Sequence, residues 1–260
     1  MRAKKSLGQN FLIDNNICTK IVRGLRLEDE DRILEIGPGH GALTSVIHQQ
    51  GFKKFVCVEK DKELAPFLVE KFPGVDIKNQ DALEFDWDEL QGTPPWKLVG
   101  NLPYNVASKL IWDIVSSKAN WSRGVFMVQN EVAQRLCADP GTKKYGALTA
   151  WVKSYCRTEY YFKVPPTVFR PQPKVDSAVV KFFPIKNSEK PRHPKALNET
   201  LSMCFQKRRK QLRNILKNEY KFDFEAWCDN NGVKPTDRPE TLAPTQFQSL
   251  AEAIKISRDS

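Results

Sequence analysis

Four consecutive residues, Asn101, Leu102, Pro103 and Tyr104, have the types best suited to chemistry in this sequence. They follow the apolar run 96–100, so we expect them at the carboxyl end of a strand, where open α/β sheets bind ligands. The Asn101 oxygen and the Leu102 carbonyl can each accept one N–H. Pro103 stiffens the turn, and Tyr104 offers a face for stacking a base. These four residues suit methylation of an exocyclic amino group, whose nitrogen becomes nucleophilic once its hydrogens are held. The alternative interpretation is a turn that ends the strand and places the tyrosine in the core.

A glycine-rich turn at 37–41 lies between a predicted strand at 31–36 and a predicted helix at 42–50. Strand, turn and helix in this order form the first βα unit of a doubly wound fold. Gly37 and Gly39 would let the backbone approach a ligand closely at the N-terminus of the helix. The spacing is G-x-G-x-G rather than the dinucleotide fingerprint, and a tight turn that binds nothing is the alternative.

Two acids follow the next two predicted strands. Glu59 comes directly after the apolar strand 54–58, about 20 residues past the glycines, where an acid suits the hydroxyl groups of a ribose. Its alternative is a surface charge that caps the next helix. Asp81 follows the strand 75–77, and its carboxylate can accept from the amino group of an adenine or cap the turn before Trp87.

Phe169 lies in the segment 165–174, which contains too many prolines to be the interior of a sheet. The prolines hold this loop stiffly, so Phe169 is predicted to present a second ring to a base opposite Tyr104. An anchor that fixes the loop in the core is the alternative. The lead-in 6–12, which contains Asn10 and Leu12, is either a disordered arm or a flap over a ligand, and composition does not decide between them.

The composition is that of a folded, basic protein. Of 260 residues, 40% are hydrophobic and 28% charged, and the formal net charge of +10 favours a polyanionic partner. No apolar run reaches the roughly 18 residues of a membrane span, and the N-terminus lacks the apolar region of a signal peptide. The six cysteines are scattered, which predicts buried free thiols in a reducing compartment. We expect a cytoplasmic protein with no metal site, and a monomer by default.

Strands and helices alternate to about residue 155, which predicts a parallel sheet. Two more strands are predicted at 158–164 and 175–183, and the polar segment 185–194 reads as a linker. Everything beyond it is helical in pattern, with helices predicted at 197–205, 207–217, 224–229 and 244–256. The run 207–217 carries six basic side chains and no acid, which indicates contact with phosphates; a solvated helix face is the alternative.

Taken together, these motifs resemble the KsgA (RsmA) family of rRNA adenine N6,N6-dimethyltransferases. The resemblance covers about residues 4–184 most strongly and continues in the tail. It is carried by the segments 9–12, 35–41, 81–82, 101–104, 169–177, 208–214 and 238–240, together with Glu59.

The resemblance implies an α/β fold, with a Rossmann-like class I methyltransferase domain at 1–185 and a helical, basic RNA- or ribosome-binding domain at 186–260. It implies S-adenosylmethionine as methyl donor. The implied substrate is a pair of adjacent adenosines in the 3′-terminal hairpin of small-subunit rRNA, within an assembling subunit. The implied cofactor contacts are Asn10, Leu12, Gly37, Gly39, Glu59, Asp81 and Asn101. Those at the reacting base are Asn101, Leu102, Tyr104 and Phe169.

Other functions fit parts of the pattern. The chain could serve chiefly as an assembly factor that binds RNA or the subunit through its basic tail. The related Erm class, which methylates large-subunit rRNA, is a third candidate. The segments 208–214 and 238–240 resemble the small-subunit family instead and argue against it. DNA adenine or protein glutamine methyltransferases fit residues 101–104 alone, but the Phe169 loop and the basic tail disfavour them.

Overall fold

A computed structural model describes residues 9–217 and 222–259 of the chain. It confirms the predicted α/β class, with a mixed sheet flanked by helices and a separate group of helices. Two compact units are present: one contains the chain up to Ala133 and Thr158–Pro184, the other Gln134–Arg157 and the chain from Ile185 onward. The predicted boundary at 185–186 lies one residue from the third point at which the chain passes from one unit to the other, at 184–185. Residues 134–157, which we assigned to the first domain, group instead with the helical unit.

In chain order the strands of the described ranges are β1 Phe11–Leu12, β2 Arg32–Ile36, β3 Lys54–Glu59, β4 Asp76–Asn79, β5 Trp96–Asn101, β6 Trp121–Gln129, β7 Cys156–Val164, β8 Phe169–Arg170 and β9 Ser177–Pro184. Seven of them form the main sheet in the order β4-β3-β2-β5-β6-β9-β7, and β1 and β8 form a separate two-stranded ribbon. Neighbouring strands from β4 to β6 are parallel, as the alternating pattern predicts, and β9 runs antiparallel to β6.

The helices of the described ranges begin and end close to the signals in the sequence. Asp14 caps the first helix by accepting a hydrogen bond from the Ile17 amide at 3.0 Å, as predicted. The chain from 147 to 153 forms a helix that the sequence analysis did not predict. In chain order the helices are α1 Asn15–Leu25, α2 Ala42–His48, α3 Leu64–Lys71, α4 Ala107–Ser116, α5 Asn130–Leu136, α6 Ala147–Lys153, α7 Pro194–Gln206, α8 Leu212–Leu216, α9 Phe224–Asn231 and α10 Pro244–Asp259.

The core of the first unit lies between the sheet and the helices that cover it. It is built from the apolar residues of β2, β3, β5 and β6 together with buried residues of α1 and α2. Burial on both faces explains why these strands read as continuous apolar runs in the sequence. Leu12 of β1 and Phe169 of β8 belong to the same buried cluster, so the short ribbon is part of this core.

The second unit has its own apolar centre, in which Leu197 and Phe247 are fully buried and the rings of Phe205 and Phe247 lie 5.7 Å apart. Its basic run is not the single helix predicted for 207–217: the chain leaves α7 at Gln206, turns, and enters α8 at Leu212. The Leu212 amide donates to the Asp237 carbonyl at 2.8 Å rather than to a preceding helical turn, which explains the break.

All six cysteines are free, and five of them are buried, as predicted. Within the described ranges, none of the helices combines the length and the apolar character that crossing a bilayer requires.

Candidate functional site

A pocket opens at the carboxyl ends of β2, β3 and β5, the edge of a parallel sheet at which α/β proteins bind ligands. It is lined by all seven residues that the resemblance implies for the cofactor: Asn10, Leu12, Gly37, Gly39, Glu59, Asp81 and Asn101. Leu102, Pro103 and Tyr104 line it as well. The motifs are far apart in the sequence, and the sheet order brings them to one place.

The glycine-rich turn forms the floor of the pocket. Gly37 has φ +65, and a Cβ placed there would meet nothing nearer than the Asn101 carbonyl at 3.9 Å. A side chain at this position would therefore be strained and would project into free space beside the pocket. Gly39 also has a positive φ, and its Cβ would come within 2.8 Å of the Phe11 ring. Gly37 thus keeps the backbone open beside the pocket, and Gly39 leaves room for the Phe11 ring to pack against the turn.

Glu59 is 6% exposed, so it is not the surface charge that the alternative predicted. Its two carboxylate oxygens accept hydrogen bonds from the Gly39 amide at 3.0 Å and the Asp61 amide at 2.8 Å. Burial raises the pKa of Glu59 above its ordinary value, while these two backbone donors oppose the increase. Glu59 is thus fixed rigidly at the pocket wall, with lone pairs left to accept from hydroxyl groups.

Asp81 caps its local turn, as the alternative predicts, and also lines the pocket. One of its oxygens accepts from the Leu83 amide at 3.0 Å and caps the local turn. The other lies 2.6 Å from the Lys60 ammonium. Burial acts to raise the pKa of Asp81, but the hydrogen bonds from Lys60 and Leu83 outweigh it and the pKa is lowered. The carboxylate is therefore charged and held in position at the pocket.

The Asn101 side chain is bonded at one end only. Its Nδ2 donates to the Asn10 carbonyl at 2.9 Å. No hydrogen bond within the described residues ends on its Oδ1 or on the Leu102 carbonyl. Two acceptors of hydrogen bonds thus belong to adjacent residues at the pocket, as expected from the sequence.

Tyr104 is half-buried and lines the pocket. Its hydroxyl lies 2.5 Å from the Ser177 Oγ at the start of β9. Ser177 is fully buried, and burial raises the pKa of the Tyr104 hydroxyl. The ring is held through its oxygen, which leaves its face as the part that can contact a ligand. The sequence analysis did not identify Ser177 as a partner of Tyr104.

Phe169 is not in this pocket, and the clasp predicted between Tyr104 and Phe169 is not formed. The Phe169 ring is 2% exposed and belongs to the buried cluster that contains Leu12. A ring with no open face cannot stack on a base in this arrangement. The structure places Phe169 where the alternative, an anchor for the proline-rich loop, predicts it.

Glu35 also lines the pocket and has no role in the sequence analysis beyond its place in the glycine-rich segment. It is 1% exposed, and its Oε2 accepts hydrogen bonds from the Thr44 hydroxyl at 2.7 Å and the Cys57 thiol at 3.7 Å. Burial raises the pKa of Glu35 from 4.5 to about 7. An isolated acid within the apolar strand β2 is the signal that could have identified it.

Residues 9–12 form a flap over the pocket rather than a disordered arm; residues 6–8 of the predicted lead-in lie outside the described residues. The Gln9 amide donates to the Asp61 carboxylate at 3.0 Å, and the Phe11 and His40 rings lie 4.2 Å apart. Phe11 and Leu12 pair with Arg170 and Phe169 in the β1–β8 ribbon.

The sequence model of the family described as "Ribosomal RNA adenine dimethylase" matches residues 1–255. A curated relative from Maridesulfovibrio salexigens, named "Ribosomal RNA small subunit methyltransferase A", is 54% identical over 254 residues, which are 98% of this chain and 96% of the relative.

Two solved structures share the fold. A dimethyladenosine transferase from Plasmodium falciparum superimposes with a TM-score of 0.75 at 27% identity, covering 92% of this chain and 95% of that one. The 23S rRNA methyltransferase ErmE superimposes with a TM-score of 0.70 at 25% identity, covering 95% of this chain and all of that one. Both confirm the predicted Rossmann-like, class I methyltransferase fold.

Proposed function

The chain belongs to the ribosomal RNA adenine dimethylase family, and from this premise we propose that it transfers two methyl groups to N6 of each of two adjacent adenosines in the 3′-terminal hairpin of small-subunit rRNA. The name of its 54% identical relative supports the small subunit over the large one. As an S-adenosylmethionine-dependent rRNA methyltransferase it would act on assembling subunits, in the cytoplasm.

The pocket fits S-adenosylmethionine, which supplies an electrophilic methyl carbon when bound. The glycine turn leaves free space that a side chain would otherwise fill, and Glu59 is held with lone pairs available for ribose hydroxyls. Asp81 is a fixed carboxylate for the amino edge of an adenine. Asn10, Leu12 and Gly37 would contribute backbone or side-chain contacts from the flap and the floor.

The unoccupied acceptor on Asn101 supports the proposed chemistry most directly. The Asn101 Oδ1 and the Leu102 carbonyl would accept the two hydrogens of an adenine N6, and the nitrogen lone pair would then be localised and available for transfer. Tyr104 would stack on the base after it has left the RNA helix. No general base is needed before transfer, because the methylated ammonium is strongly acidic and loses its proton to water.

The helical unit supports contact with rRNA. Lys207, Arg209 and Lys210 are exposed in the turn before α8, and Arg213 is exposed on the helix itself. Arg208 instead pairs with Glu240 at 2.6 Å and donates to the Lys143 carbonyl at 2.7 Å. We therefore assign phosphate contact to the exposed members of the run and an internal structural role to Arg208.

Asn101→Ala tests this proposal. We expect the variant to lose methyl transfer to unmethylated small subunits by on the order of 100-fold or more, because it removes one of two acceptors, while its affinity for the subunit stays within about threefold. Incorporation of labelled methyl and a filtration binding assay measure the two quantities. Mapping the label in the wild type identifies the adenosines. Equal loss of binding and transfer would contradict the assigned role.

A second function, as an assembly factor, is favoured by the exposed basic residues Lys207, Arg209 and Lys210 in the turn before α8. The Asn101→Ala variant separates the two, since it lacks the acceptor but keeps that turn. If it restores subunit maturation in cells without the protein, binding is the principal function; if it does not, methylation is required.

A further inference from the structure

The orientation of the Asn101 amide is set from outside its own strand. A primary amide has an acceptor oxygen on one side and an NH2 donor on the other. Donation from Nδ2 to the Asn10 carbonyl, 91 residues earlier in the chain, leaves the oxygen on the opposite side. Rotated by half a turn, the side chain would point two N–H donors at an amine and could hold neither of its hydrogens.

The position of the Asn10 carbonyl depends on the flap, and the flap depends on the β1–β8 ribbon. Phe11 pairs with Arg170 and Leu12 with Phe169 across this ribbon. One further bond extends it, from the Ile13 amide to the Val168 carbonyl at 2.9 Å. The ribbon therefore holds the flap along the three residues that directly follow Asn10.

Phe169 fixes the other strand of the ribbon. Its ring is 2% exposed in the core of the first unit, next to a short 3-10 turn at Pro166–Val168. We propose that Phe169 is a positioning residue: its buried ring anchors β8, and β8 holds the flap so that the Asn10 carbonyl keeps the Asn101 oxygen toward the substrate. The proposal rests on the proposed function for the identity of that substrate, but the arrangement of the amide does not depend on it.

An anchor and a stacking partner require different properties of residue 169. Anchoring requires apolar volume, whereas stacking requires an aromatic ring. We therefore expect Phe169→Leu to keep kcat within about threefold of wild type. Phe169→Ala is expected to lower kcat by on the order of 10-fold to 100-fold, with KM for the subunit within about threefold. This loss is smaller than the loss of about 100-fold or more expected when the Asn101 acceptor itself is removed.

The amide itself provides a readout that needs no substrate. In protein labelled with 15N, the Asn101 side-chain NH2 signals are assigned by their absence in Asn101→Asp. The proton bonded to Asn10 should be shifted downfield and protected from exchange in the wild type and in Phe169→Leu. In Phe169→Ala that shift and protection should be lost. Because this result is independent of methyl transfer, it would stand even if the wild type failed to methylate rRNA.

Phe182→Ala is the matched control. Phe182 is a fully buried ring on β9, outside the ribbon, so this variant should lose stability as Phe169→Ala does but keep the Asn101 signals. If Phe169→Ala does not fold, Ile13→Pro replaces it. Ile13 is 53% exposed, and proline removes its bond to Val168 without emptying the core, so the Asn101 protection should fall.

Two outcomes would overturn the proposal. If Phe169→Leu loses as much activity as Phe169→Ala while the Asn101 signals are unchanged in both, the ring acts by stacking on the base. If neither Phe169→Ala nor Ile13→Pro changes the Asn101 signals, the ribbon does not orient the amide.

Discussion

Replacing Glu35 by glutamine should remove most of a pH dependence of stability that burial of this carboxyl creates. Burial raises the pKa of Glu35 from 4.5 to about 7 in the folded protein. Below 4.5 the group is protonated in both states and has no effect on stability. Between 4.5 and 7 the unfolded chain ionises while the folded one stays protonated, so stability falls as pH rises. Above 7 both are ionised, and the folded state keeps a buried carboxylate.

The size of the effect follows from the same pKa values. One unit of difference is worth about 1.4 kcal/mol, so the buried carboxylate of Glu35 costs about 3 kcal/mol of folding free energy well above pH 7. Between about pH 5.5 and about pH 8.5 the wild type should lose about 2 kcal/mol through this group alone. Glutamine is neutral at both values and can still accept a hydrogen bond from Thr44.

The assay is urea denaturation of wild type and Glu35→Gln at both pH values, with Glu70→Gln, an exposed acid on α3, as matched control. Any constant cost of the glutamine NH2 cancels when the difference between the two proteins is compared across pH. The stability of Glu35→Gln relative to wild type should rise by about 2 kcal/mol from the lower to the higher pH. A difference that stays flat across pH would refute the argument that burial has raised this pKa.

Two further predictions concern the pocket. Tyr104→Phe and Ser177→Ala each remove the same 2.5 Å hydrogen bond, so each should lower kcat/KM about fivefold, as expected for about 1 kcal/mol. The double variant should be no worse than either single variant. Additive losses would show that this bond does not position the ring. Glu59→Gln should weaken S-adenosylmethionine binding by about 10-fold, since an NH2 then faces the Gly39 or Asp61 amide in place of an acceptor. Calorimetry measures the affinity, and Glu70→Gln, which should bind as the wild type does, is the control. Unchanged affinity in Glu59→Gln would exclude Glu59 from the cofactor site.

Residues next to the sheet could be predicted because their signals are local. The apolar runs of β2, β3, β5 and β6 end at Gly37, Glu59, Asn101 and Gln129 or within a residue of them, and a parallel sheet brings such ends to one edge. The strand bounds predicted from the sequence are therefore within about three residues of the observed ones, and the seven predicted cofactor residues line one pocket.

What could not be predicted depends on pairing between distant segments. β1 and β8 have two residues each, too few for a period of hydrophobicity, and only their mutual pairing makes them strands. The burial of Phe169 follows from that pairing, so the sequence could not decide between anchor and stacking ring. The break between α7 and α8 likewise depends on the Asp237 carbonyl, which accepts a hydrogen bond from the Leu212 amide. Asp237 lies outside the segment 207–217, so the residue pattern of that segment does not indicate the break.

The same dependence limits what a motif of four residues can specify. Asparagine at position 101 offers an acceptor only when something else engages its NH2, and the Asn10 carbonyl does so here. An aspartate in this place would present acceptors in either orientation and would need no such partner, although its charge would repel the carbonyl. An Asn-Leu-Pro-Tyr turn is therefore an incomplete description of an amine-binding site: its chemistry depends on whether a flap elsewhere in the chain supplies the acceptor for the asparagine NH2.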